Sequence, residues 1–147
     1  MPFPADRDLN HLNPVFGQKV TKLLSLCDGN KIPIIITEGN RSKARQFWLW
    51  CKGRIVKKSD EIAFLGYDSP EIDSAPKEKA VTWTLRSNHL TGRAVDFCFR
   101  TPQGGASYNG DWDKVYDLAE ICGMESLFRK AGLDRPHLQD AGLYKAK

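Results

Sequence analysis

The sequence predicts an α+β domain built around a small, largely antiparallel sheet. Three observations point there. Segments with helical spacing of apolar residues are interleaved with short strand-like segments that alternate or are wholly apolar. They follow no regular strand–helix–strand order, which argues against a parallel sheet. The 147 residues, 41% of them hydrophobic, suffice for one sizeable core and are short for two. With no internal repeat, low-complexity segment or clear linker, a single domain over residues 1–147 is expected.

The segment through Leu12 reads as an irregular lead-in. Asn13-Pro14 starts a helix, since Asn caps and Pro fits the first turn. Phe16, Val20, Leu23, Leu24 and Cys27 then share one face, and Gly29-Asn30 stops the helix. Residues 32–37 form a buried strand, with Pro33 near its start, where the lost N–H matters least. A tight Glu38-Gly39-Asn40 turn follows. Ser42 caps a second helix running to about Lys52, with Ala44, Phe47, Trp48 and Cys51 inward and Gly53 ending it. Residues 54–80 are polar and charged and contain Pro70 and Pro76. They read as a long excursion, with room for a short hairpin or helix. Such loops often act as lids or binding loops, and a solvated insertion fits equally well.

Residues 93–99 alternate as a strand. Ala94, Asp96 and Cys98 face one way; Val95, Phe97 and Phe99 face the other. The glycine-rich stretch 103–110 is a turn or loop. Asp111 caps a helix with Trp112, Val115, Tyr116, Ala119 and Cys122 on one stripe, closed by Gly123. A short helical piece around 126–130 precedes a final strand over 136–139.

Twenty-two Lys and Arg against eighteen Asp and Glu leave a net charge of +4. That suits an anionic partner such as nucleic acid, a membrane surface or an acidic wall polymer, and selects none of them. The positive charges are scattered and no recognition motif or basic helix is present, so nucleic-acid binding is not expected. The longest strongly apolar run, 32–36, contains a proline and is far too short to cross a bilayer, so no stable membrane insertion is expected. Met1-Pro2-Phe3-Pro4-Ala5-Asp6 lacks the basic start and apolar centre of a signal peptide, so synthesis in a cytoplasm is expected. Cys27, Cys51, Cys98 and Cys122 show neither C-x-x-C nor zinc-ribbon spacing. Each lies in an apolar stretch, and buried reduced thiols are expected.

Of three histidines, two have unusual neighbours. His89 stands in Ser87-Asn88-His89-Leu90-Thr91-Gly92-Arg93-Ala94-Val95-Asp96-Phe97, and His137 in Asp134-Arg135-Pro136-His137. Gly92 and Ala94 are small enough for close approach of backbone and ligand. Asp96, in an otherwise apolar strand, would be costly to bury without compensation. A metal ion compensates it. His89, Asp96 and His137 make a three-ligand zinc set with one position left for water, the arrangement of a catalytic site. Asp134, three residues before His137, would then take the proton of the attacking water and pass it to a leaving amine. Singly, each residue has a plainer reading: a hydrogen-bonded or surface histidine, and a turn aspartate before Pro136.

Together these residues resemble the VanY-like zinc peptidases, the M15 group of peptidoglycan D-alanyl-D-alanine carboxypeptidases and L-alanyl-D-glutamate endopeptidases. The sequence looks closest to their small phage endolysin branch. Three blocks carry the resemblance, in the family's order. The first is Glu38-Gly39-Asn40-Arg41-Ser42, with Arg45-Gln46 and Gly53-Arg54 after it. The second, and most specific, is Val81-Thr82-Trp83-Thr84 leading into Ser87-x-His89-x-x-Gly92-x-Ala94-x-Asp96-Phe97. The third is Asp134-x-Pro136-His137-Leu138-Gln139.

The resemblance implies a hedgehog/DD-peptidase-like fold, one catalytic zinc on His89, Asp96 and His137, and Asp134 as acid/base. It places Arg41 at the substrate cleft, against a substrate carboxylate or the scissile carbonyl, with an ion pair to Glu38 as the alternative. Ser87 and Gln46 would hydrogen-bond the peptide; for Gln46 a structural hydrogen bond is the alternative. The stretch 124–133 departs from the Gly-Gly and Trp pattern of many relatives, which bears on substrate preference.

The activity implied is cleavage of a stem-peptide amide in peptidoglycan, foremost as an L-alanyl-D-glutamate endopeptidase, alternatively as a D-alanyl-D-alanine carboxypeptidase. A non-catalytic wall-binding or virion module on the same fold would be favoured by loss of a ligand, and all three are present. A monomer is expected, without a separate cell-wall-binding domain. It would be made in the host cytoplasm and reach the wall or periplasm through a holin-type release partner.

Overall fold

The structure, a computed structural model, describes residues 3–54, 56, 58–67, 78–80, 82 and 87–145. Five helices and five strands appear among them, in the order α1 (Pro14–Gly29), β1 (Ile34–Glu38), α2 (Lys43–Cys51), α3 (Lys58–Leu65), β2 (Ala94–Arg100), β3 (Ala106–Ser107), α4 (Trp112–Ile121), β4 (Met124–Ser126), α5 (Leu127–Ala131) and β5 (His137–Asp140). The strands pair only antiparallel, in the order β1-β2-β5-β4, with β3 on the end of β2. This is the α+β architecture expected from the sequence.

The caps form as the sequence implies. Asn13 accepts from Val15 and Phe16 backbone N–H groups, Ser42 from Arg45, and Asp111 from Lys114. The apolar stripe of α1 (Phe16, Val20, Leu23, Cys27) packs on Val95, Phe97 and Phe99 of β2 and on Val115, Tyr116 and Ala119 of α4. One face of the sheet is therefore closed by α1 and α4. A second cluster, Phe47 and Cys51 of α2 with Phe64 and Leu65 of α3, lies apart from this core. On the other face of β2, Ala94 and Cys98 are buried and Asp96 between them is partly exposed.

Several elements differ from expectation. The lead-in contains a 3-10 turn over Leu9–His11, capped by Asp8. The loop over 103–110 contributes the two residues of β3. Met124–Ser126 pairs with β5 as an edge strand that three residues of alternation are too few to announce. Within the polar excursion, Lys58–Leu65 is the short helix for which the sequence left room, while Pro70 and Pro76 lie outside the described residues. All four cysteines are free and buried. Among the described residues, no helix is long and apolar enough to cross a membrane.

Candidate metal centre and catalytic cleft

Register across the sheet builds the site. Asp96 at the centre of β2 lies directly opposite His137 of β5 on one side and Glu38 of β1 on the other. Partners in an antiparallel pair project to the same face. A register shift between Ile36 and Glu38 is what brings Glu38, rather than Thr37, opposite Asp96. The one-residue irregularity thus turns Glu38 to the side of Asp96.

His89 reaches the row from a 3-10 turn over Asn88–Thr91 that leads into β2. Ser87 caps this turn by accepting the His89 N–H at 3.2 Å. Gly92 ends it at φ 68°, where a Cβ would stand 2.7 Å from the Asn13 backbone nitrogen. An alanine there would meet both the left-handed backbone cost and a clash with fixed backbone. Gly92→Ala is expected to lower stability by about 1–3 kcal/mol, read as an earlier urea midpoint. An unchanged midpoint would mean the turn relaxes freely.

One ligand atom from each of His89, Asp96 and His137 lies within 4.8 Å of the others. Asp96 Oδ1 is 3.5 Å from His89 Nε2 and 3.6 Å from His137 Nδ1. Both distances are too long for good hydrogen bonds. Asp96 Oδ1 is indeed buried with no hydrogen-bond partner among the described residues. An orphaned buried carboxylate oxygen facing two imidazole nitrogens is costly as it stands. It is well matched to a cation that all three atoms can bind. The donor set, two nitrogens and one oxygen, suits zinc.

The outer side of each imidazole is already engaged. His89 Nδ1 donates to the Gly39 carbonyl at 2.8 Å, leaving Nε2 toward Asp96. His137 Nε2 donates to Gln139 Oε1 at 2.8 Å, leaving Nδ1 toward Asp96. Such outer bonds orient metal-binding histidines and set their tautomers. Burial would raise the pKa of Asp96, but the imidazoles of His137 and His89 outweigh it and hold the carboxyl well below its ordinary range. For His137, burial opposes the charge and the Asp96 carboxylate prevails, raising its pKa.

Asp134 stands at the edge of this cluster. Its Oδ2 is 3.8 Å from His137 Nδ1, and its side chain is 52% exposed, so it has access to both site and solvent. It has a left-handed backbone, φ 56°, which aspartate tolerates better than most residues. Its carbonyl accepts the His137 N–H at 3.1 Å. The Tyr116 hydroxyl, from α4, donates to Arg135 O at 2.8 Å and pins the loop. Partial removal from water, then the nearby Asp96 carboxylate, raises the Asp134 pKa.

A cleft of about 640 Å³ opens on the cluster. Arg41, Ser87, His89, Asp96, Asp134 and His137 line it, so six of the seven site residues expected from the sequence meet there. Gln46 does not reach it. Its side chain is fully buried and accepts from Arg41 Nη1 at 2.8 Å. The structural reading of Gln46 therefore describes its place: it holds Arg41. Arg41 also donates twice to Glu38, from Nε at 3.0 Å and Nη2 at 2.7 Å. Three of its five N–H groups are taken, leaving one on each terminal nitrogen. The ion pair and the cleft position thus coexist. Val81, Trp83 and Thr84 of the second sequence block lie outside the described residues.

Glu38 receives Arg45 as well, at 2.5 Å. Burial alone would raise its pKa, but Arg41 and Arg45 prevail and depress it. The folded value lies below the unfolded one, so this stabilisation is complete above the unfolded 4.5 and drains as pH falls through the folded value. Glu38→Gln is expected to flatten the acid limb of a stability–pH curve followed by urea denaturation. Equal acid sensitivity in both proteins would remove Glu38 from that role.

Two contributors escaped the sequence reading. The Gly39 carbonyl that holds His89 carries no side-chain signal. Glu125, which binds Gln139 at 2.7 Å, lies in the stretch that departs from the family pattern.

A small antiparallel sheet flanked by helices is the fold of VanY and of solved peptidoglycan endopeptidases, and the chain has that fold. Over 150 residues it is 27% identical to the peptidoglycan L-alanyl-D-glutamate endopeptidase CwlK of Bacillus subtilis (strain 168), covering 95% of this chain and 76% of that protein. It superposes on the L-Ala D-Glu endopeptidase ChiX of Serratia marcescens with a TM-score of 0.56 at 23% identity, covering 90% of this chain and 83% of that one. A variant of the vancomycin-resistance D,D-pentapeptidase VanY, solved in complex with Zn(II), gives 0.53 at 14% identity, covering 90% and 74%. No family model matches the chain.

Proposed function

We propose that this protein is a zinc-dependent peptidoglycan peptidase that hydrolyses the L-alanyl-D-glutamate amide of the stem peptide. One observation carries the reading. Two imidazoles and an orphaned carboxylate oxygen converge at a cleft with Asp134 beside them, and similarity to a peptidoglycan L-alanyl-D-glutamate endopeptidase runs over 95% of the chain. His89 Nε2, Asp96 Oδ1 and His137 Nδ1 would hold the zinc. Bound there, zinc supplies Lewis-acid polarisation of the scissile carbonyl and acidifies water.

The remaining tasks fall to the chain itself. Asp134 takes a proton from the attacking water and returns it to the departing amine. Its raised pKa moves it toward the range in which a carboxyl does both. Arg41, held by Glu38 and Gln46, presents its remaining N–H groups to a carboxylate or carbonyl of the peptide. The Ser87 hydroxyl accepts the His89 N–H and keeps its own proton to donate to the substrate. Leu49, Leu127 and Leu133 add apolar surface to the cleft lining.

Chelation is expected to stop the release of soluble fragments from purified peptidoglycan, and added zinc to restore it. Hydrolysis that survives verified removal of all metal would exclude this mechanism.

A further inference from the structure

The two metal-facing histidines are held from behind in different ways. His89 is held by a backbone carbonyl, which can only accept. His137 is held by the amide of Gln139, which has one accepting and one donating end. Something must choose which end faces the imidazole.

Glu125 makes that choice. Its Oε2 lies 2.7 Å from Gln139 Nε2. A carboxylate only accepts, so Gln139 must turn its NH₂ toward Glu125 and its oxygen toward His137. Asn88 Nδ2 donates to the same Gln139 oxygen at 3.1 Å, in accord with that orientation. The reversed amide would set its oxygen against the Glu125 carboxylate. Glu125 is fixed in turn by the backbone N–H groups of Gly142 and Tyr144, each at 2.7 Å. Glu125 and Gln139 are direct cross-strand partners in β4 and β5. Glu125, Gln139 and His137 are all buried, and in low-dielectric surroundings a mismatched pair is expensive.

The consequence reaches the metal site. An amide oxygen at Nε2 requires a proton on Nε2. The neutral imidazole then has its lone pair on Nδ1, the nitrogen that faces Asp96. We propose that Glu125 is a positioning residue for the metal centre: through Gln139 it locks His137 in the tautomer that leaves Nδ1 free to ligate. The inference rests on the reading of His137 as a zinc ligand. Glu125 does not line the cleft, so it acts on the site through His137.

The test combines the tautomer with metal affinity. Nitrogen-15 spectra of the metal-free protein, recorded at alkaline pH, should show His137 protonated on Nε2 and His89 on Nδ1. In Glu125→Gln, His137 should become a tautomer mixture while His89 stays unchanged as internal control. Zinc affinity, measured by chelator competition, should fall roughly 10–100-fold. Gln139→Leu leaves the Glu125 bonds to Gly142 and Tyr144 in place and should give the same two effects, which covers the case in which Glu125→Gln does not fold. A purely structural role would lower the melting temperature and move neither readout. A wild-type His137 protonated on Nδ1, or a variant with unchanged tautomer and unchanged affinity, would overturn the proposal. Absence of zinc binding in the wild type would instead fault the ligand reading, and the tautomer spectra would still decide whether the relay exists.

Discussion

Asp134→Asn is expected to bind zinc as the wild type does and to lose hydrolysis by roughly 10²–10⁴-fold. The asymmetry follows from where Asp134 stands. The group that could hold the metal is His89, Asp96 and His137; Asp134 stands at its edge, 3.8 Å from His137 Nδ1. Removing its charge leaves the three donors and their outer hydrogen bonds in place. It also removes a carboxylate that can shuttle a proton between water and the leaving nitrogen. Asparagine is the informative replacement because it keeps the size and tolerates the left-handed backbone at this position. Alanine should lose as much activity and some stability besides. Metal content and hydrolysis rate on the same preparation separate the possibilities. A variant that loses zinc along with activity would make Asp134 a ligand, and one that keeps its rate would remove it from the chemistry.

His89→Ala and His137→Ala are expected to do the opposite: zinc binding goes first and activity goes with it. Outer hydrogen-bond partners of a metal ligand are typically worth 10–100-fold in affinity, so loss of the ligand itself should exceed about 100-fold. The apo proteins carry a second signature. Asp96 is held low by the two imidazoles against the cost of its burial. With one imidazole gone, its carboxyl should titrate at higher pH. Zinc that binds only the folded state raises its melting temperature. That increment should be present in the wild type and absent in either variant. A variant that still takes up one zinc with near-native affinity would show that its histidine is not a ligand.

The residues with strong local signatures were legible from the sequence, and those defined by pairing were not. Asn13-Pro14, Ser42 and Asp111 announce helix starts because capping is a local act, and each caps as expected. The alternation along β2 separated Asp96 from Val95, Phe97 and Phe99 because strand periodicity is strict, and those three lie in the main core. His89, Asp96, Asp134 and His137 were legible through chemistry and family pattern together, and the fold brings all four to one cleft. The opposition of Asp96 to Glu38 depends on a register shift in β1 that no residue advertises. β4 is three residues long and owes its conformation to β5. Glu125 shows the same limit. As a lone acid in an unfamiliar stretch it carried no signal. Its meaning appears only when strand pairing sets it beside Gln139.

The decisive measurement is the mass of the products released from purified peptidoglycan by the zinc-loaded protein. Cleavage of the L-alanyl-D-glutamate bond leaves L-alanine on the glycan strand and frees a peptide with a new amino group on D-glutamate. That pair of products is the predicted result. Release of D-alanine alone would reassign the bond and make the protein a carboxypeptidase on the same metal centre. Intact muropeptides with no new amino groups, from protein shown to carry zinc, would contradict the peptidase reading altogether.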